Sequence, residues 1–168
     1  GGTFPQWGFM NFYNWVMAGD PATAALANYY AFGATGFDTS TALADMLHEA
    51  TTDNNVRRGT TLENTYGYLP DDLYNGSLGC CNVHGSAASL LEYDQADFAL
   101  SRFAAALGDA ANATKFTNRA NNWKHIFNTG NGLINPMNSN GNFVGITSTS
   151  TNGFIEGTAA QYRFVVPF

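Results

Sequence analysis

Charge is the scarcest commodity in this chain. Only 12% of the 168 residues are Asp, Glu, Lys or Arg, about half the usual share. Seven basic residues stand against 13 acidic ones, for a net charge of −6. That balance offers no basic face for phosphates and argues against a nucleic-acid partner. Long apolar runs are missing too: none reaches the roughly 18 residues of a membrane span. The cysteines number two and are adjacent, Cys80 and Cys81. A bond between neighbours closes a strained ring, so free thiols, partners outside the chain and a vicinal disulfide are all open readings. With His84 they are too few for a closed zinc site, and no Asn/His spacing supports a nucleophilic thiol. There is no Walker loop, no Rossmann glycine fingerprint and no G-x-S-x-G elbow. The chain runs from Gly1-Gly2 to Val166-Pro167-Phe168 with no initiator Met and no signal peptide, which reads as a piece cut from a longer protein.

What is present suffices for a core. At 45% hydrophobic and 14% aromatic residues, the chain is no disordered tail and is long enough for one domain. Asn, Thr, Ser, Gly and Ala take the place of charge, a composition suited to an exported protein. Asn75-Gly76-Ser77 and Asn112-Ala113-Thr114 match the N-glycosylation acceptor pattern.

The patterning predicts helices and no strands. Asp20-Pro21 is an N-cap acid followed by Pro at the first helical position, and a helix follows over 22–32. Asp38 to Ser40 cap a second helix, ending near Thr52. Residues 53–84 read as loop, with Gly59, Gly67, Pro70, Gly76 and Gly79 as punctuation; a loop that long is usually functional. Ser86 opens the strongest helix, to Leu107, with Ala96, Leu100, Phe103 and Leu107 on one stripe. Gly108-Asp109 turns the chain into another helix, to about Phe127, with Phe116, Ala120, Trp123 and Phe127 aligned. Residues 128–153 are polar, and a short apolar segment follows from Phe154. Helical hairpins alternating with long loops predict an all-α solenoid or toroid whose loops build a site on one face.

Three groups of carboxylates invite chemistry. Glu156 lies between Phe154-Ile155 and Gly157; apolar surroundings would favour its neutral form, as a general acid needs. The alternative is a helix-start acid facing the dipole. Glu92 continues the apolar stripe of its helix, so it is either a core acid tied to a partner or a cavity-lining one. Asp94 and Asp97 share a face and could bind a cation, a solvated face or a bond to the next helix being the simpler reading. Trp7 and Trp15, among Gln, Asn, Phe and Tyr, suit sugar rings or an ordinary aromatic core.

Several segments, in order, resemble glycoside hydrolase family 92, the calcium-dependent exo-acting α-mannosidases. They are Gly2-Thr3-Phe4-Pro5-Gln6-Trp7, Met17 to Ala22, Gly67-Tyr68-Leu69-Pro70, Leu91-Glu92-Tyr93 with Asp97-Phe98-Ala99, Arg119 to Lys124, and Glu156-Gly157-Thr158-Ala159-Ala160-Gln161-Tyr162 followed by Val166-Pro167. The resemblance implies that residues 1–168 are part of a single (α/α)6 toroid catalytic domain, without its N-terminal β-sandwich and the C-terminal part of the barrel. It implies an inverting exo-α-mannosidase, acting on α-1,2-linked mannose of glycans, secreted, with Glu156 as general acid. Trp7, Thr158 and Gln161 would contact substrate. The base aspartate and most Ca2+ ligands would lie outside this chain, so the 168 residues alone would be inactive. The expected partners are mannose-containing glycans and the remaining segments of the same enzyme. Two departures bear on linkage preference: Thr158 stands where the family has Asn, and Ala160 where it has an aromatic. Another (α/α)6 glycosidase, or a non-catalytic carbohydrate-binding helical module, are the rival readings.

Overall fold

The computed structural model describes residues 2–9, 12–14, 17–74 and 85–163. The side chains of 7–9 and 12–14 are not among them. Trp15, both cysteines, Asn75 and His84 lie outside the described residues.

A hairpin of β1 (Trp7–Phe9) and β2 (Phe12–Asn14) pairs Trp7 with Asn14. α1 (Pro21–Ala31) and α2 (Thr39–Thr51) follow. Both start as the sequence predicts. Asp20 Oδ1 accepts the amide of Thr23, and Asp38 Oδ1 that of Thr41, each at 3.0 Å. α3 (Thr60–Tyr66) is a helix inside the stretch read as loop. Its flanking Gly59 and Gly67, both at φ +76, are the left-handed ends of a seven-residue helix rather than loop punctuation.

α4 (Ser86–Ala106) is the central element, with 14 of its 21 residues buried. It packs on α1, α2, α5 (Ala110–Arg119) and α6 (Trp123–Ile126). The helix expected to continue to Phe127 stops at Arg119. Asp94 Oδ2 takes the Trp123 amide at 2.7 Å, so that donor starts a new helix instead of continuing the old one. β3 (Phe127–Asn128) and β4 (Leu133–Ile134) form a second short hairpin, and α7 (Ala159–Tyr162) is a single turn. The strands missed by the sequence reading are two or three residues long, too short for a period-2 pattern to register. The all-α character stands.

Two apolar clusters share α4. Its N-terminal half packs Leu90, Leu91 and Tyr93 with Leu69, Ile126, Ile134 and Phe154. Its C-terminal half packs Leu100 and Phe103 with Met46, Ala50 and Phe116. Between them in sequence come Asp94 and Asp97, both buried. They are not on a solvated face. Asp97 Oδ1 accepts from Arg57 Nη1 at 2.5 Å and from Arg119 Nη2 at 2.7 Å, and Oδ2 accepts from Arg119 Nε. Arg57 Nε also donates to Asp20 Oδ2 at 3.0 Å. Arg119 Nη1 donates to the Ala50 carbonyl at 2.6 Å, and its Nε lies 3.6 Å from Glu63 Oε1. A buried guanidinium is tolerable only with such partners. Burial opposes the charge on Arg57, but Asp97 and then Asp20 outweigh it and raise its pKa.

Acids outnumber bases in this interior. Asp94 Oδ1 and Glu63 Oε2 have no hydrogen-bond partner among the described residues. Desolvation, then the nearby charges of Glu63 and Asp97, push Asp94 up to about 9. Desolvation and Asp20 raise Glu49 to about 8. Both folded values lie above the unfolded ones, so the fold takes up protons. The stability these two groups contribute is therefore fully present at low pH and is lost as pH rises toward 8–9. Thermal melts of the intact protein should show Tm falling from pH 5 to pH 9. Asp94→Asn keeps the acceptor for the Trp123 amide and should flatten that slope; an unchanged slope would refute the assignment of the proton to Asp94.

Candidate active site

The turn carrying Glu156 is built by its neighbours. Phe154 is buried, its ring centroid 4.9 Å from that of Tyr162. Tyr162 Oη donates to the Ile155 carbonyl at 2.5 Å. A Cβ at Gly157 would lie 2.9 Å from Tyr162 Cε2, so only glycine lets the ring approach there. Downstream, the Ala159 amide donates to Ser150 O and the Ala160 amide to Ser148 O, each at 2.9 Å. The turn is thus held from both sides.

Glu156 itself has φ +53. The left-handed region costs a non-glycine residue roughly 1–2 kcal/mol. The apolar surroundings expected for its carboxyl are absent among the described residues: Glu156 is exposed. Phe154 turns into the core, so the apolar neighbours do not enclose the acid. Glu156 makes no hydrogen bond or ion pair with the described residues.

Thr158 and Gln161 are placed together, engaged with one another. Gln161 Oε1 accepts the Thr158 amide at 2.8 Å and its hydroxyl at 3.1 Å, within a capping box at the start of α7. Trp7 is placed by backbone only, on β1. Gln6, immediately before it, donates from Nε2 to the Gly19 carbonyl at 2.7 Å. Gly19 in turn packs on Glu92: a Cβ there would lie 2.9 Å from Glu92 Oε2. Glu92 is half-buried and lacks the Arg or amide partner that a core acid would have among the described residues. Desolvation raises its pKa.

Tyr162 is the bracing residue that the sequence reading passed over. It closes the Glu156 motif, but its spacing of six from Glu156 is no helical period, so no pattern ties the two together. Burial raises the pKa of its hydroxyl, with the carboxylates of Glu92 and Glu156 adding to the rise.

One carboxylate group has metal-compatible spacing among the described residues: Glu63, Asp94 and Asp97, with one oxygen of each within 4.8 Å of the others. The donor set does not fit calcium. Both Asp97 oxygens accept from guanidinium groups, Glu63 Oε1 accepts from Asn122 Nδ2 at 3.2 Å, and Asp94 Oδ2 holds the Trp123 amide. Two free oxygens remain, against the six to eight ligands calcium takes.

Removing the Tyr162 hydroxyl frees the Ile155 carbonyl without disturbing the ring contacts. Tyr162→Phe should therefore leave Tm within a few degrees and lower kcat about tenfold, a loss of ~1.4 kcal/mol in transition-state stabilisation. Unchanged kcat would show that the turn holds without it.

The chain matches the glycosyl hydrolase family 92 catalytic domain over residues 1–168. No curated protein matches it. Among solved structures, a family GH92 α-mannosidase from Bacteroides thetaiotaomicron superposes with TM-score 0.87 at 25% identity, covering 98% of this chain and 21% of that one. The same enzyme in complex with mannoimidazole gives TM-score 0.86 at 23% identity, over 98% and 22%. A family GH92 inverting mannosidase from the same organism gives 0.86 at 24% identity, over 98% and 22%. This chain spans about a fifth of the length of those structures. Its helical hairpins are those of the helical part of an (α/α)6 domain, and the family's enzymes are glycoside hydrolases consistent with metal dependence. With the whole of its length matched to that catalytic domain, the chain belongs to glycosyl hydrolase family 92.

Proposed function

We propose that this chain is one stretch of the catalytic domain of an exo-acting, inverting α-mannosidase that hydrolyses mannose-containing glycans. The observation that carries the reading is the family match over every residue, Glu156 included. Among the relatives of known structure are an α-mannosidase, also seen in complex with mannoimidazole, and an inverting mannosidase.

Glu156 is the general acid. Its carboxyl, presented on a turn braced by Tyr162, would donate a proton to the leaving glycosidic oxygen. Inversion needs a second carboxylate about 6.5–9.5 Å away to activate water. We place that base, an aspartate, and most ligands of a Ca2+ ion outside this segment: among the described buried acids, Asp20 and Asp97 are tied to arginines and Asp94 to the Trp123 amide. Bound calcium would polarise sugar hydroxyls of the terminal mannose. Linkage preference for α-1,2-mannose and secretion belong to the same reading; sparse charge and the two acceptor tripeptides support export. The rest of the domain would also cover the groove between α1 and α4. That cavity of about 390 Å3 is lined by alanines and Phe98 together with the polar Asn28, Gln95 and Arg102. Phe32, 92% exposed at the end of α1, needs similar cover.

Mannose release from α-1,2-linked mannobiose by the full-length protein tests the reading. Glu156→Gln should lower kcat by at least a hundredfold, the scale of general acid catalysis. A calcium chelator should abolish release, and added Ca2+ restore it. Release unaffected by Glu156→Gln would remove the acid from this position; release indifferent to chelation would remove the metal.

A further inference from the structure

We propose that Glu92 is a substrate-binding carboxylate of the same site, accepting hydrogen bonds from the hydroxyls of a sugar ring held between the β1 segment and the Glu156 turn. The inference rests on the mannosidase reading and adds a residue to it.

Three contacts place Glu92. The first turn of α4 is docked on the chain just before Glu156: the Ala88 amide donates to the Gly153 carbonyl at 3.0 Å, and a Cβ at Gly85 would strike Ile155 Cγ1 at 2.8 Å. Glu92 lies one helical turn beyond Ala88, on the same face. On its other side it touches Gly19, whose left-handed turn (φ +92) accepts the Gln6 amide next to Trp7. Glu92 therefore stands where the segment of Trp7 meets the segment of Glu156.

Its chemistry is that of an acid kept for a ligand. The acids buried around Asp97 are tied to guanidinium or amide groups, whereas Glu92 has no such partner among the described residues. A partly desolvated carboxylate gains from a hydrogen-bond donor. Sugar hydroxyls are neutral donors of the kind that satisfy it. Burial also disfavours its charged form, and hydroxyl donors would restore that form.

The test uses full-length enzyme, with α-1,2-mannobiose turnover and calorimetric binding of mannoimidazole. Glu92→Gln keeps the volume against Gly19, so Tm should hold. KM and the mannoimidazole Kd should rise roughly 10- to 100-fold, the range for one hydrogen bond to a charged group, with a smaller change in kcat. Glu92→Asp, which keeps the charge but withdraws it, should fall between. Active wild type with unaltered KM and Kd in Glu92→Gln overturns the inference alone. So does a variant that loses Tm or fails to fold, which would make Glu92 a structural acid. A thousandfold loss of kcat at constant KM also overturns it, making Glu92 a proton-transfer residue. Wild type that neither hydrolyses mannobiose nor binds mannoimidazole overturns the mannosidase reading, and this inference with it.

Discussion

Asp97 holds two guanidinium groups at once, and through them three further parts of the chain. Arg57 carries the link to Asp20 at the start of α1; Arg119 carries it to the end of α2 and to Glu63 in α3. Asp20 is also the N-cap of α1, so one carboxylate sets both the position and the first turn of that helix. The apolar clusters at either end of α4 supply most of the burial, but apolar contact is non-directional. The charged layer between them supplies direction. Removing one member would leave a buried charge without its partner, a far larger penalty than the loss of a surface ion pair.

This layer explains why α4 looks weakly amphipathic and yet is the best-buried helix. Its buried aspartates are not a wet face: Asp97 meets Arg57 from the stretch between α2 and α3 and Arg119 from α5, and Asp94 takes the Trp123 amide. The N-terminal half of the same helix then carries the 153–157 turn, through Gly85 and Ala88. A rigid interior and an exposed acid are thus connected by one helix. Carrying a reactive group on a loop anchored to fixed helices is a common division of labour in enzymes.

Local signals in the sequence were read well where the cause is local. Asp20-Pro21, Asp38 and Gly108-Asp109 each act within three or four residues, and the helices they begin are where they were expected. The misreadings have non-local causes. α3 is seven residues long and closed by glycines that look like loop glycines until the helix is seen between them. The break after Arg119 depends on Asp94, 29 residues away. The same holds for the site. Family motifs marked Glu156, but its exposure could not be read from Phe154 and Ile155, because Phe154 packs into the core and Glu156 takes a positive φ that no pattern announces. Thr158 and Gln161 carried a capping-box spacing that could have been read directly.

That positive φ has an evolutionary consequence. Glycine or asparagine would suit the backbone at position 156 better than glutamate, so drift toward a more stable protein would favour losing the acid. A family member that had given up catalysis would be under no restraint against that change. Position 156 is accordingly where the loss of activity in a descendant would first become visible, written as a substitution that makes the fold more comfortable.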